Sequence, residues 1–220
     1  MAKATTKNNT KATKNAKKDV RVQWRGQSAY GWFKPVGYVA SFMLIGASAL
    51  VFVDAYSSTN SLWNNNVIPK TLAVSDKQNV ELGMKFKPNT DGEITGVRFY
   101  KSAENIGTHT GSLWSADGAL LATTVFSNET RSGWQSARFA EPVKVTAETV
   151  YVISYHAPNG HYSLNKDYFS TGNPSSKFIT PVRDNEEENG VYTYSSATSA
   201  FPLLDGNGDN YWVDVLFRSN

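Results

Sequence analysis

The sequence predicts an all-β fold for residues 62–220, an antiparallel β-sandwich of jelly-roll or immunoglobulin-like type. Short runs rich in β-branched and aromatic residues recur there, and clusters of Asn, Asp, Gly, Pro and Ser separate them. No segment after Tyr56 has the spacing of an amphipathic helix. Ahead of this domain the sequence predicts a disordered basic tail (1–34), one transmembrane helix (35–55) and a short linker (56–61).

The predicted strands alternate apolar and polar residues, which indicates one buried face per strand. Val97 and Phe99 flank Arg98, for example, and two valines flank Asp214, so both charged residues are predicted to face solvent. Strands with one solvated face are typical of antiparallel sheets. The predicted strands are 80–86, 93–101, 111–116, 119–126, 133–139, 149–156, 190–195 and 210–217.

Turn residues separate these runs. Asp117-Gly118, between 111–116 and 119–126, predicts a tight hairpin because glycine adopts the positive φ that such turns require. Pro158-Asn159-Gly160 predicts a turn after the strand at 149–156.

The segment Val36–Val53 contains 18 residues without a charge, close to the roughly 20 that cross a bilayer as a helix. We therefore expect the lipid bilayer to be a partner of this segment. Its length exceeds that of most signal-peptide cores, which favours an uncleaved anchor. A cut after Ala55, which would release the domain as a secreted protein, is the alternative.

The charge is unevenly distributed along the chain. Residues 1–34 hold nine basic residues and one acidic residue, a net +8, which leaves −5 of the total +3 for the remainder. Basic residues beside a membrane helix stay in the cytoplasm, so the sequence predicts a cytoplasmic N-terminus and an extracellular C-terminal domain in the cell membrane. A basic tail at this position is expected to contact lipid, and no nucleic acid is expected as a partner.

The chain has no cysteine, which excludes disulfides, cysteine nucleophiles and Cys-based zinc sites. No Gly-x-Ser-x-Gly elbow occurs, and no two carboxylates are singled out by their spacing. The sequence therefore predicts no enzyme, no catalytic residues and no cofactor.

Three histidines lie in the loops and strand ends of the predicted domain: His109, His156 and His161. The turn at 158–160 could bring His156 and His161 together as metal ligands. The other interpretation is that the imidazoles bond to the backbone and order their loops, and the absence of a His-x-His or His-Glu-x-x-His spacing favours it.

Asp205, Asn207 and Asp209 have the spacing of the first three ligands of a calcium loop. Position 6 is Asn210 where such loops have glycine, and no glutamate stands at position 12. A polar turn before the last strand is the simpler interpretation, with calcium binding as the alternative.

The predicted domain is rich in aromatic residues that stand beside amide and imidazole groups. Such pairs are typical of sugar-binding surfaces, since rings stack on the C–H face of a sugar and polar groups bond to its hydroxyls. Core packing is the competing explanation for each ring. The candidate ligand-binding residues are His109, Trp114, Trp134, His156, Asn159, His161, Tyr162 and Trp212.

Residues 62–218 carry a family likeness in ELGMKF (81–86), ITGVRFYK (94–101), NIGTHTGSLWS (105–115), GWQ (133–135), SYHAPNGHY (154–162), NGVY (189–192), FP (201–202) and NYWVDV (210–215). This region resembles the bacterial family of domain of unknown function 4082. The resemblance implies a β-sandwich module of secreted and cell-surface proteins, and it implies no established activity.

Together these features predict a membrane-anchored surface protein whose β-sandwich domain binds glycan or a surface partner in adhesion or recognition. Two alternatives stay open from the sequence: a metal-dependent hydrolase that uses His156 and His161, and a structural module that self-associates.

Overall fold

The computed structural model describes residues 59–172, 174–182 and 189–220. Within them the chain forms β-strands and a single helical turn. The elements are β1 (Val80–Pro88), β2 (Gly92–Lys101), β3 (Thr110–Ser115), β4 (Leu120–Val125), β5 (Gly133–Val145), β6 (Tyr151–Ala157), α1 (Tyr168–Thr171), β7 (Ile179–Pro181), β8 (Val191–Tyr194), β9 (Leu204–Asp205) and β10 (Val213–Ser219).

The strands form two antiparallel sheets, which confirms the predicted all-β antiparallel class. The larger sheet has seven strands in the order β4-β3-β6-β1-β8-β9, with β7 paired to the far end of β1. The smaller sheet has three strands in the order β10-β2-β5. Their inner faces share one hydrophobic core, as in a β-sandwich.

The core lies where alternate residues of the two sheets meet. Leu82 of β1 and Ile153 of β6 face Val97 of β2, and all three are fully buried. Phe99 of β2 stacks on Tyr155 of β6 across the two sheets, with 4.2 Å between the ring centroids. Large apolar side chains at every second position therefore supply the core, as the alternation predicts.

All eight predicted strands are present; one of them is longer than predicted, and three short elements were not predicted. The strand at 133–139 continues to Val145 past Pro142, which is tolerated because β5 is an edge strand whose pairing shifts near this point. β7, β9 and α1 span four residues or fewer, too short to show a hydrophobic period.

The Asp117-Gly118 hairpin is confirmed between β3 and β4. Gly118 has φ 90°, and the Gly118 N–H donates to the carbonyl of Ser115 at 3.1 Å. The hairpin places β4 at the edge of the larger sheet, where Leu120, Leu121 and Val125 are exposed.

Arg98 and Asp214 correct the prediction that both face solvent. They lie on the outer face of the smaller sheet, but residues 59–65, which we call the N-terminal segment, cover them. Arg98 donates through Nε and Nη2 to Asp214 Oδ2 at 3.1 and 2.7 Å. The backbone N–H groups of Leu62 and Trp63 donate to the same carboxylate at 3.0 and 3.2 Å. A distant segment thus buries a charged pair that the strand pattern alone assigns to water.

A tryptophan cluster secures the N-terminal segment. Trp63 lies 5.3 Å from Trp212 and 6.3 Å from Trp134, centroid to centroid, and its indole N–H donates to the Tyr168 hydroxyl at 3.1 Å. The Arg98 guanidinium carbon lies 4.1 Å from the centroid of the Trp134 ring. The segment is therefore an integral layer of the domain.

Among the described residues no helix has the length and apolar character needed to cross a bilayer. The predicted tail, the predicted helix at 35–55, most of the linker at 56–61 and the alternative cut after Ala55 lie outside the described residues.

Candidate functional site

An open groove of about 490 Å³ lies at the end of the sandwich where β1 begins and where β2 and β6 end. We call it the His161 groove; it is lined by Lys77, Ala103, Glu104, Ile106, Asn159 and His161. Two of the residues predicted to bind a ligand, Asn159 and His161, thus share one concave surface.

The predicted turn after β6 forms one wall of the groove. The Gly160 N–H donates to Ala157 O at 3.3 Å, and Gly160 and His161 have φ of 62° and 53°. A Cβ at position 160 would lie 2.3 Å from the Asp76 carbonyl oxygen, so this position requires glycine. The close approach brings the turn against the segment that contains Lys77.

His161 is oriented by the segment before β1. Its backbone N–H donates to Asp76 O at 2.8 Å, and its Nδ1 lies 2.9 Å from Val74 O. Because a carbonyl only accepts, Nδ1 carries the proton and Nε2 is the acceptor of a neutral ring. Glu104 Oε2 lies 3.7 Å from Nδ1.

The loop opposite, residues 102–106, is tied to the same turn. Asn159 Nδ2 donates to Ile106 O at 2.8 Å, and the Ser102 hydroxyl donates to His161 O at 2.7 Å. The Asn105 N–H donates to Ser102 Oγ at 3.0 Å. These bonds preorganise the groove before any ligand arrives.

The groove offers an ammonium, a carboxylate, an amide and an imidazole beside the side chain of Ile106, which is 60% exposed. Hydrogen-bonding groups around an apolar patch suit a ligand that carries both hydroxyl groups and C–H faces. The Glu104 side chain is exposed and the His161 side chain is partly exposed, so both are reached from solvent.

Tyrosines continue this surface along the open edge of the sandwich. Tyr194 is 47% exposed, and its hydroxyl donates to Asp76 Oδ2 at 2.8 Å. That hydrogen bond, with partial burial, raises the pKa of Tyr194 to about 12. Tyr162, another predicted ligand residue, is half-buried and packs edge-on against Tyr211, 5.7 Å away between ring centroids. Asp76 and Lys77 therefore join the tyrosine edge to the groove.

His109 lies inside the sandwich, away from the groove. Its Nδ1 is 2.9 Å from Glu129 Oε1, its Nε2 is 2.8 Å from Asn105 Oδ1, and Lys101 Nζ completes the network 2.6 Å from Glu129 Oε2. Burial lowers the pKa of His109, and the Glu129 carboxylate opposes that shift. A neutral ring donates from Nδ1 to Glu129, and it accepts at Nε2 when the Asn105 amide turns its nitrogen to the ring. That orientation also gives the buried Asn105 Nδ2 a partner.

The lowered pKa of His109 predicts a pH-dependent contribution to stability. Its contribution is fully present above pH 6.5, the ordinary value, and is lost as the pH falls through the folded-state pKa, because the unfolded chain binds the proton first. We expect His109→Gln to lower the free energy of unfolding by about 1–3 kcal/mol at pH 8 and by less at pH 5. Urea unfolding of both proteins from pH 5 to 8 measures this difference; a difference that stays constant or grows at low pH would contradict it.

His156 lies on the outer face of the larger sheet. It pairs with Glu81 in the β1–β6 register, and its Nδ1 is 3.6 Å from Glu81 Oε2. Both side chains are buried. His109, His156 and His161 thus have three separate sets of partners. In the described part of the chain no group of three or more His, Asp or Glu residues is placed to hold a metal ion.

The carboxylates of the predicted calcium loop accept hydrogen bonds from the backbone. Asp205 Oδ1 accepts from the Asn207 N–H at 2.8 Å, and Asp209 Oδ1 accepts from the Asp167 N–H at 3.0 Å. Burial raises the pKa of Asp209. The three residues form a polar turn before β10, which is the simpler of the two interpretations.

The tryptophans among the predicted ligand residues are covered. Trp212 is 1% exposed and donates from Nε1 to Asn165 Oδ1 at 3.2 Å. Trp134 is partly buried and donates to Val67 O at 3.2 Å, and Trp114 is buried and donates to Ser154 Oγ at 2.8 Å. Packing and indole hydrogen bonds hold these rings inside the domain, so core packing, the competing explanation for each ring, accounts for their position.

Four groove residues, Lys77, Ala103, Glu104 and Ile106, were not predicted as ligand residues from the sequence. Lys77 lies in a segment with no strand pattern, and Ile106 reads as an ordinary apolar residue. Their placement depends on contacts across the chain, such as the bond between His161 and Val74, 87 residues apart. No local pattern encodes such a contact.

The groove lies at the far end of the sandwich from the first described residues. Asn60 pairs with Phe217, which lies opposite Ile94 near the start of β2, whereas the groove loop follows the end of β2 at Lys101. Seven residue steps along β2, from Ile94 to Lys101, separate the two positions, about 23 Å at 3.3 Å per residue.

Comparison with known proteins gives one result for the domain. No curated protein matches the chain. The family described as "Domain of unknown function (DUF4082)" matches residues 66–213, which is about two thirds of the chain and includes β1 to β9 but only the first residue of β10. This match confirms the resemblance found in the sequence motifs. The chain therefore belongs to the DUF4082 family.

Proposed function

We propose that this protein is a membrane-anchored surface protein whose β-sandwich domain binds glycan through the His161 groove. The observation that carries the proposal is the groove itself, a preorganised concave surface with four hydrogen-bonding side chains around exposed Ile106. Exposed Tyr194 beside it offers an aromatic ring of the kind that packs on sugar C–H groups.

The proposed topology rests on the sequence. Residues 1–34 are the cytoplasmic tail, 35–55 the membrane helix, 56–61 the linker and 62–220 the extracellular domain. The N-terminal segment enters the domain at the end opposite the groove.

We infer a jelly-roll type for the sandwich. Early strands pair with late ones, β1 with β8 and β2 with β10, while β3 pairs with β6. Nested pairing of this kind favours the jelly roll over the immunoglobulin-like alternative.

Glycan binding is tested with variants of exposed groove residues whose side chains do not hold the turn together. We expect Glu104→Ala with Ile106→Ser to weaken binding to purified cell-wall polysaccharide at least tenfold, because the pair removes a hydroxyl acceptor and the apolar patch. A tenfold loss corresponds to about 1.4 kcal/mol. Isothermal titration, preceded by a glycan array to choose oligosaccharides, measures the change.

Val125→Lys on exposed β4 is the matched control, since it changes a surface apolar residue that does not line the groove. Unchanged affinity in the groove variant, or no binding to any glycan, would refute the proposal.

The same control addresses self-association, which the exposed apolar residues of edge strand β4 favour as the second candidate function. Loss of oligomers in Val125→Lys with glycan binding intact would support that second function. The metal-dependent hydrolase lacks comparable support, because His156 and His161 have separate partners.

A further inference from the structure

Residues 195–203, which connect β8 to β9, cross the outer face of the larger sheet; we call them the strap. It contacts the sheet through hydrogen bonds and through two apolar side chains, Phe201 and Pro202. Thr110 Oγ1 donates to Thr198 O, and Ser199 Oγ lies 2.7 Å from Ser112 Oγ. Phe201 packs edge-on against Trp114 at 5.7 Å between ring centroids.

Pro202 completes the contacts by sitting over Gly83 of β1. A Cβ at position 83 would lie 3.0 Å from Pro202 Cγ, so the strap approaches the sheet backbone closely at this point.

Beneath the strap lies a polar cluster. Glu81 is fully buried, and its Oε1 accepts from the Ser154 hydroxyl at 2.5 Å. The Trp114 indole N–H donates to the same Ser154 oxygen at 2.8 Å. The backbone of Ala200 in the strap also bonds to the Glu81 carboxylate.

Two atoms of this cluster have no hydrogen-bond partner. They are Glu81 Oε2 and His156 Nδ1, which are both inaccessible to solvent and lie 3.6 Å apart, within the range of an ion pair but beyond that of a hydrogen bond. Buried polar groups in folded proteins are nearly always paired, and an unpaired one costs about 1–3 kcal/mol. Burial also raises the pKa of Glu81. A face that served only the core would bury apolar side chains here.

The composition of this face is that of a binding surface. Hydroxyls of Thr110, Ser112 and Ser154, a carboxylate, an imidazole and an indole ring occur together on neighbouring strands. A saccharide hydroxyl both donates and accepts, so one such group between the two unpaired atoms can bond to each. The strap itself presents a carbonyl, a hydroxyl and a ring to the same partners.

We propose that this face is a second saccharide-binding site, with Glu81, His156 and Trp114 as its central residues, and that the strap is a lid which occupies it in the absence of ligand. Opening exchanges the strap's hydroxyl, carbonyl and ring contacts for those of a neutral sugar. Each strap hydrogen bond contributes about 0.5–1.5 kcal/mol net, and the sugar ring takes the place of Phe201 on Trp114. The ligand class rests on the proposed function, and the location does not.

The test uses a disulfide between the strap and the sheet. The chain has no cysteine, so Ser112→Cys with Ser199→Cys in the full-length protein creates a single thiol pair where two hydroxyl oxygens lie 2.7 Å apart. The background carries Glu104→Ala and Ile106→Ser, which disable the His161 groove. The probes are cellohexaose, xylohexaose, maltohexaose and purified cell-wall polysaccharide, and the reduced protein is the matched control for the oxidised one.

We expect the reduced protein to bind at least one probe and the oxidised protein to bind it at least tenfold more weakly, with reversal on adding dithiothreitol. Hydrogen exchange should show faster exchange for strap amides than for β6 amides in the reduced protein, and protection of β3 and β6 with the probe. Equal binding by the oxidised and reduced proteins would overturn the inference.

Failure of the second site and failure of the proposed glycan-binding function give different results. Binding that disappears in the groove-disabled background but is present with an intact groove would overturn the second site and leave the proposed function standing. No binding in either background would overturn both.

Discussion

Replacing Asp214 with alanine is expected to lower the free energy of unfolding by about 3–5 kcal/mol. The substitution leaves the Arg98 guanidinium, which is 5% exposed, without its anionic partner in the domain interior. It also removes the acceptor of the Leu62 and Trp63 N–H groups. A buried charge that loses its partner still has the free-energy cost of desolvation but no longer has the attraction that offsets it. The expected effect is therefore large. Urea unfolding monitored by tryptophan fluorescence measures it.

The matched control is the more exposed ion pair between Glu93 and Arg218, which joins the same two strands. Solvent screens this pair, so Glu93→Ala should cost at most about 1 kcal/mol. If Asp214→Ala lowers the free energy of unfolding by no more than Glu93→Ala does, the buried pair does not stabilise the domain as predicted. A double substitution, Asp214→Leu with Arg98→Met, should recover much of the loss because it removes both buried charges.

Trp63→Ala should also lower the free energy of unfolding, by about 3–5 kcal/mol. The indole is 6% exposed and packs against Trp134, Trp212 and the aromatic residues of α1. Removing it leaves a cavity that these rings cannot fill, and the Tyr168 hydroxyl loses its donor. Because Trp63 belongs to the N-terminal segment, a large loss would show that this segment is part of the folded unit. Thermal or urea unfolding measures the loss.

Ile68→Ala is the control for the Trp63 prediction. Ile68 lies a few residues further along the chain and is 64% exposed, so its truncation should change stability by no more than about 0.5 kcal/mol. A Trp63→Ala protein as stable as Ile68→Ala would contradict an integral N-terminal segment.

The strands were predictable from the sequence because their signals are local. Alternation in 93–101 and 210–217 and the Asp117-Gly118 dipeptide depend on neighbours along the chain. The structure confirms each of them. β7 and β9 could not be predicted, since strands of three and two residues show no period.

Burial of polar residues was not predictable because it depends on distant segments. Alternation correctly assigns Arg98 and Asp214 to the outer face of their sheet, but coverage by residues 59–65 comes from elsewhere in the sequence. The same holds for Glu81 and His156, which the strap covers. A strand pattern distinguishes two faces and carries no information on what packs against the second.

The candidate site was predictable in part. The turn residues Pro158-Asn159-Gly160 drew attention to Asn159 and His161, and both line the groove. The tryptophans were poor ligand candidates because an indole ring beside polar residues is also found in a core. The ring packs there when its N–H donates to a buried acceptor. Trp212, which donates to Asn165, is an example.

The N-terminal segment also determines how the domain bears mechanical load. It runs antiparallel to β10, joined to it by paired hydrogen bonds of 2.7 and 2.8 Å between Asn60 and Phe217 and by the Asp214 carboxylate further along. A pull on the chain before residue 59, opposed by a ligand held in the His161 groove, is directed along the strands. These contacts then resist in shear and share the force, whereas a perpendicular pull would break them one at a time. Under the proposed function, the load from a bound ligand would therefore be carried along the strands.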